Sequence, residues 1–281
     1  MGTRRLIAIG DNVTDCYVEK RIFYPGGNAV NVAVNARRDG FDEVSYIGVF
    51  GDDSHAAHIK ESLVKENIDF RLSRTVYAHT AQPIVTIDTH GDRLFKAGPL
   101  RSAQHLFKIC LTADELEKLT DFSICHTSCY SHLENELPTI HSQCAISFDF
   151  STNYELSYLK KVCPYLTFAF FSTSELTPNQ TRELQEECYQ LGTKYICCTR
   201  GEQGSTLYDG THFYHQGIKP VEIVDTMGAG DSFIAGFLAA FVAKNLTITQ
   251  SLEFAAIAAA KSCTIDGGFG YPHPFSDDTL V

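Results

Sequence analysis

The chain has 281 residues, of which 34 are Asp or Glu and 23 are Lys or Arg, so its formal net charge is −11. Non-specific binding to nucleic acid depends on Lys and Arg displacing counterions, and this charge argues against such a partner. No apolar run approaches the roughly 18 residues of a transmembrane helix. We therefore expect a soluble cytoplasmic protein with no membrane partner. Its ten cysteines lie in scattered apolar segments and are expected to be reduced thiols.

Short apolar runs alternate with helix-like stretches along most of the sequence. The predicted strands are "RLIAIG", "VSYIGVF", "FSICHTS", "AISFDF", "TFAFFS" and "KYICCT". Helices are predicted from Asn28, after Ser54 and over Pro178 to Leu191. This alternation indicates a mainly parallel sheet covered by helices on both faces, because doubly covered strands have continuous apolar sequences. No linker interrupts the pattern, so residues 1–281 are predicted to form one domain.

Two segments do not follow this alternation. They are Cys16 to Tyr24 and Thr80 to Lys96, and in the second Ile, Val and Thr alternate around the turn "HGD". Such patterns are typical of antiparallel strands joined by tight turns. The sequence therefore predicts a small β flap, formed by approximately 16–25 and 80–97, outside the main sheet.

The stretch "DTMGAGDSFIAGFL" combines a glycine loop with an apolar helix. From Phe233 onward apolar residues surround the helix axis, which predicts a buried helix. The small residues Gly228, Ala229 and Gly230 allow backbone amides at the helix N-terminus to approach an anion. Asp231 then has two interpretations: it accepts the proton of an alcohol during phosphoryl transfer, or it caps the helix. The local spacing leaves both open.

A second glycine loop occurs in "YPGGNAVNVAV". Gly26 and Gly27 precede a predicted helix whose first turns carry Asn28 and Asn31, three residues apart and therefore on one face. Amide side chains both donate and accept hydrogen bonds, which suits a polyol. A simple glycine turn followed by an Asn cap explains the pattern equally well.

Three carboxylates follow predicted strands at the edge of the sheet where open α/β folds bind ligands. Asp11 and Asp15 lie in "GDNVTD" and could hold sugar hydroxyls, or could simply be solvated in a turn. Asp149 in "SFDFS" suits a magnesium or sugar contact and equally suits a turn cap. His126, inside a predicted strand, is more typical of a core histidine than of a ligand.

Three motifs resemble, in order, the signatures of the ribokinase (PfkB) family of carbohydrate kinases. They are "GGNAVNVA" with "GVFGDD", then "TRGEQGS", then "DTMGAGDSF". The resemblance covers essentially the whole chain and implies a ribokinase-like three-layer α/β/α sandwich with a mainly parallel central sheet and a small β-sheet lid. It also implies ATP- and Mg²⁺-dependent phosphorylation of a sugar primary hydroxyl. Within the family, "GDNVTD", "FYPGGNAVNVAV" and "SFDFSTN" look most like bacterial fructosamine kinases, which implies the 6-hydroxyl of fructoselysine or a related fructosamine.

The resemblance also assigns roles to individual residues. It implies that Asp231 is the catalytic base and that the amides of Gly228, Ala229 and Gly230 bind the transferring phosphoryl group. The implied sugar-binding positions are Asp15, Gly26, Gly27, Asn28 and Asn31, with Asp11 as a weaker candidate. The implied nucleotide-side positions are Ser172, Glu175, Thr199, Gly201 and Gly204, with Glu175 reaching Mg²⁺ either directly or through water.

Some features depart from the family or leave alternatives open. Ser172 replaces the asparagine of the family's Asn-x-x-Glu motif, and Arg200 replaces an apolar residue and is expected to face solvent rather than phosphate. A K⁺ site between Asp225 and the loop 266–270, and a homodimer formed through the lid, are further implications. The alternatives are a kinase for a plain ketose, pentose or nucleoside, or a non-catalytic sensor of sugar or nucleotide.

Overall fold

The computed structural model describes residues 3–87, 93–96 and 101–275 of the chain. The strands are β1 (Arg5–Ile9), β2 (Val13–Tyr17), β3 (Ile22–Gly26), β4 (Glu43–Ile47), β5 (Val49–Phe50), β6 (Ile68–Asp69), β7 (Arg74–Thr75), β8 (Ile84–Ile87), β9 (Arg93–Lys96), β10 (Ile124–Ser128), β11 (Ala145–Asp149), β12 (Phe168–Ser172), β13 (Tyr195–Thr199), β14 (Ser205–Tyr208), β15 (Phe213–Gln216) and β16 (His273–Pro274). The α-helices are α1 (Asn28–Asp39), α2 (Ser54–Lys65), α3 (Ala103–Leu106), α4 (Ala113–Lys118), α5 (Leu137–His141), α6 (Leu156–Val162), α7 (Pro178–Gln190), α8 (Ala229–Leu238) and α9 (Ile248–Ser262).

The main sheet is mostly parallel, as the alternating sequence predicts. Among the described residues its strand order is β15-β14-β13-β12-β11-β10-β1-β4-β6. The pairs from β6 to β13 are parallel, and the edge strands β14 and β15 are antiparallel. The chain leaves β1 toward β4 on one side and later returns to β10 on the other. This reversal of strand order is where open α/β sheets form a ligand crevice at the carboxyl ends of the strands.

Helices cover both faces of this sheet. Along β1, Leu6 and Ala8 pack in one core with apolar residues of α1, α2, α8 and α9. Ile7 and Ile9 point to the opposite face and pack in a second core with α5, α6 and α7. Because successive strand side chains alternate between faces, a strand covered twice must be apolar at nearly every position. The three-layer arrangement confirms the fold class predicted from the sequence.

A smaller sheet lies outside the main one, and we call it the lid. Its order among the described residues is β16-β3-β2-β8-β9. It contains both predicted flap segments, although β2 already begins at Val13 and β3 ends at Gly26. The predicted "HGD" turn falls within residues 88–92, which lie outside the described part. The edge strand β16 was not predicted: it pairs with β3, with His273 opposite Phe23.

The helix α8 is buried, as its apolar sequence predicts. Every residue from Ser232 to Leu238 is buried. It packs against both α1 and α9, which places the loop before α8 next to the start of α1. In the part of the chain that the structure describes, no helix is both long and apolar enough to cross a membrane.

Candidate active site

Asp231 lies at the start of α8 and is held by two asparagines of α1. Its Oδ1 accepts a hydrogen bond from Asn28 Nδ2 at 2.7 Å, and its Oδ2 accepts one from Asn31 Nδ2 at 2.7 Å. The residue that caps α8 is Gly228, and no side chain caps the first turn. The capping interpretation of Asp231 is therefore wrong. The predicted common face of Asn28 and Asn31 serves to bind this carboxylate.

The glycine loop leaves open space in front of the helix. Gly228 has a φ of +69°, and a Cβ there would lie 2.7 Å from the Gly268 Cα, so glycine is required. A Cβ on Gly230 would meet no protein atom within 4 Å. Within the described residues the amides of Gly230 and Asp231 have no acceptor, whereas the Ala229 amide donates to the Thr226 carbonyl at 3.2 Å. Of the three predicted amides, that of Ala229 is therefore already used, whereas those of Gly228 and Gly230 have no acceptor in the described part of the chain.

Two further carboxylates lie close to Asp231. Asp15 is only 4% exposed, and its carboxylate makes no hydrogen bond within the part of the chain described here. A Cβ on Gly26 would lie 2.2 Å from Asp15 Oδ2, so the first glycine of the pair makes room for this carboxylate. Asp149 Oδ2 accepts a hydrogen bond from Asn28 Nδ2 at 2.8 Å, and its Oδ1 accepts one from the Ser151 amide at 2.8 Å. Asp149 therefore caps the turn at Ser151 and also lies in the candidate site, so its two interpretations do not exclude each other.

The burial of these carboxylates shifts their protonation. Loss of solvation, strengthened by the charge of Asp231, raises the pKa of Asp15 to about 7 and that of Asp149 to about 7. Asp231 itself is partly exposed, but protein atoms crowd its carboxylate and raise its pKa to about 6, against the opposing hydrogen bonds from Asn31 and Asn28. A carboxylate with a pKa near 6 is ionised at neutral pH and remains basic enough to accept a proton from an alcohol.

Asp11 holds the start of α1 in place. Its Oδ2 accepts a hydrogen bond from the Asn28 amide at 2.8 Å, and its Oδ1 accepts one from the Ala29 amide at 3.2 Å. The hydroxyls of Ser128 and Ser131 also approach Oδ1, at 3.5 and 3.4 Å. Burial raises the pKa of Asp11. These contacts indicate that Asp11 positions the start of α1. Asp11 was the weaker of the predicted sugar-binding candidates, and this structural role accounts for its presence.

Asp225, which is fully buried, joins the lid to the glycine loop. Its Oδ2 accepts hydrogen bonds from the Tyr17 hydroxyl at 2.6 Å and from the Gly267 amide at 3.1 Å. Its Oδ1 accepts one from the Met227 amide at 2.6 Å. The predicted neighbourhood of Asp225 and the loop 266–270 therefore exists. The contact with Tyr17 was not predicted, because 208 residues separate the partners.

The residues predicted for the nucleotide side lie at or just after the carboxyl ends of β12 and β13. Thr199 ends β13, and Gly201 and Gly204 form the tight turn that follows it. Ser172 ends β12, where its amide donates to the Ser151 carbonyl at 2.8 Å. The exposed Glu175 makes no hydrogen bond among the described residues. Arg200 was expected to face solvent, and this prediction is wrong. Its side chain is half-buried, and its Nη2 donates to the Leu176 carbonyl at 2.9 Å.

Comparison with known proteins agrees with this architecture. The model of the pfkB family of carbohydrate kinases matches residues 3–269. The chain belongs to this family. As a member it is an ATP-dependent carbohydrate kinase. It is 45% identical, over 96% of its length and 95% of the relative, to "Fructosamine kinase FrlD" of Bacillus subtilis. It is 32% identical, over 95% of its length and all of the relative, to "Fructoselysine 6-kinase" of Escherichia coli.

A solved structure extends the comparison to three dimensions. The Arabidopsis thaliana ribokinase complexed with ribose and ATP superposes with a TM-score of 0.80 and 20% identity, over 95% of this chain and 94% of that one. At this identity the likeness shows the shared pfkB fold. The central parallel sheet and the small additional sheet therefore belong to the family architecture.

Proposed function

We propose that the chain transfers the terminal phosphoryl group of ATP to the 6-hydroxyl of fructoselysine or a related fructosamine, with Asp231 as the base. The observation that carries this proposal is the position of the Asp231 carboxylate, which two amides hold beside the open space at Gly230. A hydroxyl in that space would lie between a proton acceptor and free backbone donors. These are the two groups that phosphoryl transfer to an alcohol needs.

The charge of the site supports a substrate with an amine. The carboxylates of Asp11, Asp15, Asp149 and Asp231 lie near one another, and burial raises the pKa of each. No Lys or Arg side chain forms an ion pair with any of them in the described residues. A fructosamine carries an ammonium group that would offset this charge, whereas fructose and ribose are neutral. The names of the two curated relatives point to the same class of substrate.

The nucleotide is proposed to lie on the other side of the glycine loop. Ser172, Thr199, Gly201 and Gly204 line the ends of the strands there, and Glu175 offers a free carboxylate to the Mg²⁺ that accompanies ATP phosphates. Magnesium would neutralise charge on the phosphates. Among the described residues no group of three or more His, Cys, Asp or Glu side chains is arranged to hold a metal ion. This agrees with a metal that arrives with the nucleotide.

An exposed apolar surface suits the adenine ring. The segment before Asp225 runs beside the end of α9, where the Val224 amide donates to the Cys263 carbonyl at 2.8 Å. Both segments present large apolar side chains to solvent; they are Ile218, Val221, Ile223, Val224, Ile257 and Ile265. Small-molecule sites are lined mainly by apolar side chains, and the flat faces of an aromatic ring such as adenine pack against them. We place the base of ATP there and its phosphates toward Gly230.

We further propose that residues 1–281 act as one cytoplasmic domain whose lid closes over the sugar. The bond between Tyr17 and Asp225 connects the lid directly to the glycine loop, so closure and phosphoryl binding would be linked. Exclusion of water by the lid would limit hydrolysis of ATP. Pairing of two lids in a homodimer and a K⁺ ion beside Asp225 are included in the proposal as secondary features.

A substrate panel tests the proposed reaction. We expect kcat/KM for fructoselysine, measured by ADP release, to be at least about tenfold higher than for fructose, ribose or adenosine. These three compounds lack the ammonium group. Glucoselysine serves as a control that has the same amine on a different sugar. Equal or better use of ribose or adenosine would contradict the assignment to fructosamines, and ADP release with none of these compounds would favour a non-catalytic sensor.

A further inference from the structure

The side chain of His126, inside β10, is completely buried and contacts the candidate site through a single residue. Its Nε2 lies 3.0 Å from Asn28 Oδ1, and its Nδ1 lies 3.0 Å from the Ser147 hydroxyl. Burial lowers the pKa of His126 to about 3, so the imidazole is neutral at physiological pH. The amide oxygen of Asn28 can only accept a hydrogen bond. The proton of the ring is therefore on Nε2, and Nδ1 accepts the Ser147 proton.

The two carboxylates set the orientation of the Asn28 amide, and His126 anchors its other end. With Oδ1 bound to His126, Nδ2 points to the carboxylates and donates to Asp149 at 2.8 Å and to Asp231 at 2.7 Å. An amide group has two N–H donors, and both are used here. The flipped amide would place its oxygen against two carboxylates and its NH₂ group against the Nε2 proton. The carboxylates, which can only accept hydrogen bonds, thus exclude the flipped orientation, and the Nε2 proton of His126 holds Oδ1 at the opposite end of the amide.

We propose that His126 is a positioning residue for phosphoryl transfer: it anchors Oδ1 of Asn28 and so holds in place the amide group that bridges the carboxylates of Asp149 and Asp231. This inference rests on the proposed role of Asp231 as the base. Asn31, which also donates to Asp231, has no comparable partner for its Oδ1 among the described residues. The two asparagines are therefore not equivalent, and only Asn28 connects the base to a second carboxylate.

Replacement of His126 separates positioning from a simple core role. In His126→Leu the Asn28 Oδ1 loses its hydrogen-bond donor and the amide is held only at Nδ2, so we expect kcat with fructoselysine to fall roughly 10- to 100-fold, while KM for ATP changes less than about twofold. In His126→Gln the side-chain amide can again donate to Asn28, and most of the activity should return. Measurement of Tm for both variants checks that the fold persists. Equal kcat in the Leu and Gln variants would overturn the inference.

A pH profile provides a second readout that lost packing alone would not change. The groups facing the Asp149–Asp231 pair are Asn28 and Asn31 from α1, the carboxylates of Asp11 and Asp15, and the side chains of Cys129 and Tyr130 that follow β10. Loss of the Asn28 hydrogen bonds removes stabilisation of the ionised form, so the acid limb of kcat/KM should move to higher pH in His126→Leu by about half a pH unit or more. An unchanged limb in a folded, impaired variant would assign His126 to packing only.

The result for His126 can be distinguished from failure of the proposed function. If the fructosamine reaction is correct but His126 does not position Asn28, the wild type turns over and the variants Leu and Gln behave alike. If the wild type transfers no phosphoryl group to any sugar, the proposed function fails and with it the inference. Ser147→Ala is the matched variant on the other side of the imidazole. It leaves the Nε2 bond intact and should lower kcat less than about threefold.

Discussion

Asp231→Asn should lower kcat with fructoselysine by roughly 10²- to 10⁴-fold, because the base that accepts the proton of the 6-hydroxyl is removed. The amide has nearly the shape of the carboxylate, so Asn28 and Asn31 retain one good acceptor between them. Binding of the sugar, measured by calorimetry in the absence of ATP, should change much less than kcat. Wild-type turnover by the variant would show that Asp231 is not the base.

The pH dependence gives this prediction a second check. Asp231 has a pKa raised to about 6, so wild-type activity should rise with pH through an acid limb near that value. Asp15 and Asp149 lie close to Asp231 and also have raised pKa values. The acid limb of the pH profile therefore reports the joint protonation of the three carboxylates and not that of Asp231 alone. Because a carboxylate whose pKa is raised by loss of solvation destabilises the fold above that pKa, Asp231→Asn should not lower Tm at pH 8. A large drop in Tm would point to a structural role instead.

Gly230→Ala should abolish most activity without harming the fold. A Cβ at this position would meet no protein atom within 4 Å, and alanine favours a helix more than glycine does by up to about 1 kcal/mol. The added methyl group instead enters the space proposed for the transferring phosphoryl group. We expect kcat/KM for ATP to fall at least about 100-fold, with Tm, measured by thermal unfolding, unchanged or slightly higher.

Gly228→Ala is the informative comparison, because its expected defect has a different cause. Its φ of +69° and the 2.7 Å approach to the Gly268 Cα penalise any Cβ. The left-handed conformation alone costs an alanine about 1–2 kcal/mol. This variant should lose both stability and activity. If Gly230→Ala keeps full activity, or loses as much stability as Gly228→Ala, the open space at Gly230 does not bind the phosphoryl group.

The sequence predicts the framework of this fold well because each element has a local signature. The continuous apolar strands around "RLIAIG" and "AISFDF" could belong only to a sheet covered on both faces, and α7 covers Pro178–Gln190 almost as predicted. The edge strand β16 has no such signature. It is two residues long and is formed only because β3 offers free backbone groups to His273 and Pro274.

Contacts between distant residues of the site could not be predicted from local sequence patterns. The glycine loop and the asparagines were found from their spacing, but the pairing of Asn28 with both Asp149 and Asp231 joins residues 121 and 203 positions apart. His126 was interpreted as a core histidine, which its burial supports. Its contact with Asn28 could be found only after the sheet had placed β10 beside the start of α1. A histidine in the middle of a predicted buried strand was the available signal.

The most direct test of the account is a structure with fructoselysine and a non-hydrolysable ATP analogue bound together. We predict that the 6-hydroxyl oxygen lies within about 2.6–3.2 Å of a carboxylate oxygen of Asp231. The terminal phosphate should contact the amide of Gly230, and the ammonium group should lie on the side of the sugar away from Gly230. A complex in which the 6-hydroxyl points away from Asp231, or in which the phosphate lies outside the Gly228–Asp231 loop, would contradict it.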